Sequence, residues 1–378
     1  MDFSLNEEQK LFQTSIRQFL ESKGDLAIPR QYMEGNDSVL KEIWNGLGDL
    51  GYMGITVPEN YGGLSMGDLT LVPILEELGR AVIPGPYPET VAFAVPLLKE
   101  YGTEEQKQRY LPEIAEGKRK VTVALYENSG ELTPSQIQLK AVERGEEFVL
   151  EGQKILVPHG DTADTIIVPV RTGGSNGEYG ITLLLVDCKD MKLGLQSQKS
   201  FDETRKMVKV TFEEVRVPKS QVLGPINAGW GLLQKGLYHL NAAWCSTMVG
   251  GMERTVQMAT NYANTRQQFG QPIGRFQAVK HKIVKMKLDL ECARSLSYYA
   301  SWALENDATD MVEAVSLATS YSSEAFIRAA SDNIQVHGGM GFTWEFDCHL
   351  FLKRARSLES HLGTPDAHRE TAAIEMGW

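Results

Sequence analysis

The chain is short of cysteine, of basic residues and of long apolar runs, and each shortage excludes something. Its four cysteines, Cys188, Cys245, Cys292 and Cys348, are scattered through 378 residues with no CxxC spacing. That argues against a disulfide-stapled secreted scaffold and for a reduced compartment with free thiols. No stretch approaches the roughly 18 consecutive apolar residues of a membrane-crossing helix. The opening MDFSLNEEQKLF is acidic and has no apolar leader core, so a cytoplasmic protein is expected. A formal net charge of −11 excludes nucleic acid as the main partner, because phosphate backbones are held by basic surfaces. A small phosphorylated ligand needs only local donors and stays open. No metal site is expected.

What is present reads as an ordinary globular composition, 42% hydrophobic and 23% charged, with length enough for two or three domains. Phe12, Ile16, Phe19 and Leu20 form one helical apolar stripe, and Leu40, Ile43, Trp44, Leu47 and Leu50 form a second. A Pro/Gly-rich break at 57–68 precedes a third stripe through Leu71, Ile74, Leu75 and Leu78. Thr103 with Gln106 predicts a capping box. From Val121 the texture changes to short β-branched runs, with Arg144-Gly145-Glu146 as a hairpin connection. Helical periodicity returns after VLGPINAGWG. Val279, Ile283, Met286, Leu290 and Ala293 make the seam of a long helix, and Ala314, Ala318, Ala325, Ala329 and Ala330 give the next one a small face. The expected architecture is mainly α with a central β domain. It comprises an N-terminal helical domain (1–118), a middle β-barrel-like domain (119–225) and a C-terminal four-helix bundle (226–378).

The densest chemistry lies in DNIQVHGGMGFTWEFDCHLFLKRAR, 332–356, where Gly338, Gly339 and Gly341 fall within four positions. Glycines let backbone N–H groups approach a phosphate without a Cβ in the way. Taken alone, such a pair more often caps a helix, and a lone His337 is more often structural than a ligand. Companions alter the balance. In NYANTRQQFGQPIGRFQAVKHK a helix breaks just after Arg266, the usual donor fork for a diphosphate, and Phe276-Gln277 open the next helix.

With these stretches VPENYGGL, YGTEEQKQRYLP, FVLEGQKILV, FEEVRVP and QVHGGMGFTWE stand in an order and spacing that resemble the acyl-CoA dehydrogenase family along essentially the whole chain. The resemblance implies the three-domain fold above, FAD, and tetramers built as a dimer of dimers. It also implies an acyl-CoA substrate, a glutamate that removes the α-proton while the β-hydride goes to the flavin, and an electron-transfer flavoprotein as acceptor. Carried over position by position, Arg266, Phe269, Phe276, Gln277, Gln335, Val336, His337, Gly338 and Gly339 match the residues that grip the ADP half of FAD across a dimer interface. Thr364 matches a threonine near the cofactor.

Other positions depart from the pattern. The flavin-edge segment is LYENSGELTP, with Tyr126 at the usual threonine and Leu132-Thr133 in place of Ser-Asp. The usual Trp-Ile-Thr/Ser is Leu156-Val157-Pro158, and proline has neither N–H nor hydroxyl to offer. Both base positions are leucine: Leu362, before Gly363-Thr364, and Leu240 on the first bundle helix, followed by Asn241. A positioned base supplies about 10²–10⁴-fold, so this loss is severe unless Glu359, His361, Asp366 or His239 replaces it. The chain keeps what it would lend to a neighbour and loses what it would use itself. A subunit of a heteromeric enzyme, paired with a catalytically complete homologue, is the leading expectation. A homomeric flavoenzyme with a relocated base and a non-redox acyl-CoA-binding protein are the alternatives.

Overall fold

The computed structural model describes residues 5–189, 191–361 and 363–378. Helices α1 (Glu7–Ser22), α2 (Ala27–Met33), α3 (Ser38–Asp49), α4 (Asp68–Arg80), α5 (Val95–Tyr101) and α6 (Glu104–Ala115) come first. Strands β1 (Val121–Val123), β2 (Lys140–Arg144), β3 (Glu147–Pro158), β4 (Thr165–Arg171), β5 (Ile181–Asp187), β6 (Leu193–Gln198), β7 (Met207–Pro218) and β8 (Val222–Leu223) follow. Helices α7 (Gly229–Thr265), α8 (Gln277–Glu305), α9 (Met311–His337), α10 (Cys348–Glu359) and α11 (Pro365–Glu375) complete the chain. Helix, sheet, helix is the order expected from the sequence.

Two compact units form. The sheet unit holds Leu40–Gly67 and Gly85–Leu240. Its strands run β6-β7-β3-β2-β4-β5-β8, with β1 parallel to β4. The expected hairpin joins β2 to β3, pairing Arg144 with Glu147, and Gly145 takes the left-handed φ of 62° that such a tight turn asks for. Strands β4 and β5 are buried along their whole length, as uninterrupted apolar runs require. Phe148, Leu150, Val168, Val186, Val210 and Phe212 sit together in the core. Helix α6 starts on its capping box: the Gln106 N–H donates to the Thr103 hydroxyl at 3.2 Å, and the Thr103 N–H to Gln106 Oε1 at 3.0 Å.

The bundle unit holds the chain up to Val39, Asp68–Pro84 and Asn241–Trp378. Helix α9, small-faced through buried Ala314, Ala318, Ala325, Ala329 and Ala330, packs on α8, α10 and α11. Helix α4 packs on α1 and α8, and it meets α7 backbone to backbone. A Cβ on Gly79 would lie 1.9 Å from the Thr247 carbonyl oxygen, and one on Gly250 would lie 1.8 Å from that of Glu76. Only glycine fits at either position.

Candidate functional site

Helix α7 ends at Thr265, and the chain reverses through a two-stranded ribbon that pairs Gln268 with Gln271 and Gln267 with Pro272. The Arg266 N–H donates to Tyr262 O and its carbonyl accepts from the Ile273 N–H, each at 2.8 Å, so the backbone is pinned. Its side chain is exposed, and the guanidinium makes no hydrogen bond or ion pair among the described residues. Phe269, at the ribbon tip with a left-handed φ of 52°, is 91% exposed and meets the half-buried Phe276 edge to face at 5.9 Å. Phe276 is the N-cap of α8 and supplies no side-chain acceptor, which leaves the first N–H groups of the helix, beginning at exposed Gln277, open to an anion.

The second motif sits beside the first. Val336 is buried in a cluster with Ala259, Ala263 and Met286, against which Tyr262, Ile273 and Val279 pack. That cluster joins the end of α9 to the ribbon turn. His337 is buried, and its Nδ1–H donates to Asn333 O at 2.8 Å; burial pushes its pKa below the ordinary histidine value, with that hydrogen bond opposing. Gln335 is exposed. At Gly338 (φ 60°) and Gly339 an added Cβ would meet nothing within 4 Å, so the backbone there faces open space. Thr364, the N-cap of α11, accepts the Ala367 N–H at 3.2 Å, so its sequence signal has a capping explanation. Arg266, Phe269, Phe276, Gln277 and the 335–339 run are therefore brought together on the bundle unit.

The segments expected at a flavin edge lie in the sheet unit. Tyr126 is buried and pairs with Ile155, and burial drives its phenol pKa upward. Lys154, fully buried, reaches Glu127 Oε1 at 2.7 Å, and that carboxylate also takes the N–H groups of Gln138 and Leu139. The pairing with β7 shifts register between Lys154 and Val157, and Leu156 there takes a left-handed φ of 52°. The Pro158 carbonyl accepts the Thr122 hydroxyl at 2.7 Å. Leu132 is half-buried and Thr133 exposed.

Of the base positions, Leu240 is fully buried hydrocarbon, and Leu362 lies outside the described residues. Among the substitutes, Glu359 pairs with Arg356 at 2.9 Å and Asp366 with Arg369 at 2.5 Å. His239 is half-buried in the sheet unit. His361 is buried and, with His368 and Gly363, borders a cavity of only about 10 Å³ in the bundle unit. Trp244 and Met248 of α7 close its other side.

A charged network that the sequence reading missed ties α1, α4, α7 and α8 of the same unit. Glu76, 2% exposed, receives Arg294 Nε at 3.3 Å and Nη2 at 3.4 Å, while Arg294 also binds Glu253 and Arg17 binds Glu77. Burial raises the Glu76 pKa to about 7 against the pull of Arg294. The available signal was Glu76-Glu77 standing inside an otherwise apolar helical stripe.

Known proteins resemble this chain throughout. The acyl-CoA dehydrogenase N-terminal domain family matches residues 6–118, and the C-terminal domain family matches residues 227–377. The chain is 29% identical over 384 residues to the "probable acyl-CoA dehydrogenase YngJ" of Bacillus subtilis, covering 100% of both chains. It is 30% identical over 349 residues to a 3-(aryl)acrylate reductase of Clostridium sporogenes, covering 89% of this chain and 90% of the relative. The solved butyryl-CoA dehydrogenase of Megasphaera elsdenii superposes with a TM-score of 0.93 at 24% identity over 100% of both chains, a likeness of fold.

Proposed function

Because the chain belongs to the acyl-CoA dehydrogenase family, we propose that it serves as a subunit of a heteromeric acyl-CoA dehydrogenase, lending residues to the FAD of a homologous, catalytically complete partner. Residues of the bundle unit fit the adenylate half of FAD. The Arg266 guanidinium stands out unpaired among the described residues, the α8 N-terminus offers N–H groups, and Gly338-Gly339 leave room for a diphosphate. The chemistry that FAD supplies when bound is acceptance of the β-hydride while a carboxylate removes the α-proton of an acyl-CoA. Arg266 and the α8 N–H groups would neutralise the diphosphate, and Phe269 and Phe276 would exclude water beside it.

The flavin edge fits poorly. Pro158 has no N–H to give and its carbonyl is taken by Thr122. Leu240 has no group that can accept a proton, so the α-proton is not removed from that position. One contrast supports the reading above all: an exposed guanidinium at the lending site against buried hydrocarbon at the base position. In the assembly, electrons would leave through the partner's flavin to an electron-transfer flavoprotein.

Co-expression tests it. Alone, the chain should purify colourless. Together with a homologue that keeps glutamate before its Gly-Thr turn, both should co-purify with FAD. A yellow homotetramer that oxidises acyl-CoA unaided overturns the reading.

A further inference from the structure

We propose that the outer face of α8 docks an acidic, apolar face of the homologous partner, and that its lysines turn away a second copy of this chain. The proposal rests on the heteromeric reading above for who the partner is. Met286, Leu290 and Ala293 point inward from α8 and are buried, whereas Val284 and Leu288, one turn apart on the opposite side, are 53% and 61% exposed. Two exposed apolar side chains are ordinary by themselves. These two share one helical line with exposed Gln277 and His281, at steps of four, three and four residues. Gln277 belongs to the lending site, so a chain that receives it meets the Val284–Leu288 ridge about 10 Å further along the helix.

Charge decides what the ridge accepts. From Arg266 to Leu288 the chain carries six lysines and arginines and no aspartate or glutamate, in a protein of net charge −11. Some of these cations are answered within the fold: Lys282 binds Asp332 at 2.6 Å, and Lys287 binds Glu291 one turn on. Lys280 on one edge of the ridge and Lys285 on the other are exposed, and their ammonium groups make no hydrogen bond or ion pair among the described residues. Along the Lys285 edge a groove of about 520 Å³ opens between α8 and α9, walled by Ala278 and His281 on one side and Ile327 on the other. A carboxylate side chain entering there reaches Lys285. Two copies meeting about a twofold axis would set this face against itself and bring unanswered lysines together over an apolar contact. An acidic counterpart neutralises both lysines and covers the ridge, so charge favours the homologue over a second copy.

The test titrates the full chain with the FAD-loaded homologue that keeps glutamate before its Gly-Thr turn, and reads the mass of the complex by sedimentation. Lys280→Glu/Lys285→Glu and, separately, Leu288→Glu should each raise the pairing Kd about tenfold or more. Their thermal midpoints should match that of the natural chain, because all three side chains are exposed. Raising salt from about 50 mM to about 500 mM should weaken the natural pair and not that of the double-lysine variant. A natural Kd in either variant overturns the proposal and leaves the lending role standing. Self-association is read the same way: Leu288→Glu should leave the mass of the isolated chain unchanged. A self-associated form that this substitution breaks apart overturns the proposal. If the natural chain and the homologue form no pair at all, the heteromeric reading fails as well, so the two failures are told apart.

Discussion

The imidazole of His337 lies against the ring of Tyr262, their centroids 4.3 Å apart and their planes 28° from parallel. Phe346 meets both rings edge-on, at 5.7 Å from His337 and 6.2 Å from Tyr262. The stack fixes the last turn of α9 against α7 four residues before Arg266, so the glycine turn and the arginine keep one spacing.

His337→Leu should lose that stack and the bond to Asn333 O, about 1–2 kcal/mol near neutral pH. Because burial lowers the folded pKa of His337, its stability contribution is present above about pH 6.5 and is lost as pH falls through the folded value. Urea unfolding at about pH 7.5 and about pH 5.5 checks both points. The variant should lose less stability than the natural chain on acidification; an equal loss contradicts the assignment.

Arg266→Ala should weaken FAD binding by the assembled enzyme. Losing a charge-assisted donor to a diphosphate costs about 1.5–3 kcal/mol, or about 10–100-fold in Kd. Flavin retained per assembly after dialysis is the measurement. Unchanged retention would remove Arg266 from the lending site, and the chain's fold should be unaffected because the side chain is exposed.

Leu362→Glu alone should not create an efficient enzyme. A base restores at most about 10²–10⁴-fold, while Tyr126, Leu132 and Pro158 still shape the flavin edge. Turnover of an acyl-CoA by the variant chain should stay below about a hundredth of a complete relative's. Recovery to normal turnover by this one change would show that the flavin edge is intact.

Glu76 makes the bundle unit sensitive to pH. A carboxyl raised to about 7 in the folded chain favours the protonated native state, so its contribution is full below about pH 4.5 and is lost as pH rises through 7. The loss is on the order of 3 kcal/mol. Glu76→Gln should remove this component, so its unfolding free energy should fall less than that of the natural chain between about pH 5 and about pH 8. A parallel fall in both proteins would place the titration elsewhere.

Much of this molecule is legible in the sequence because its signals are local. The Thr103–Gln106 box, the Gly145 hairpin, and the helix break after Arg266 each depend on residues a few positions apart. Arg266 and the 335–339 run were picked out as short motifs, and only the Val336 cluster, with Tyr262 and Ile273 packed on it, shows that the end of α9 lies against the ribbon turn. What escaped is long-range. The reason for a glycine at position 79 appears only where the Thr247 backbone presses on it. Glu76 has a partner only because the fold brings Arg294 from α8, 218 positions away.

The most direct measurement is the visible flavin absorbance of the purified chain, reconstituted alone with FAD and mixed anaerobically with an acyl-CoA. A lending subunit without a base predicts no bleaching, and bleaching only once the complete homologue is added. Rapid bleaching by the isolated chain would contradict the account.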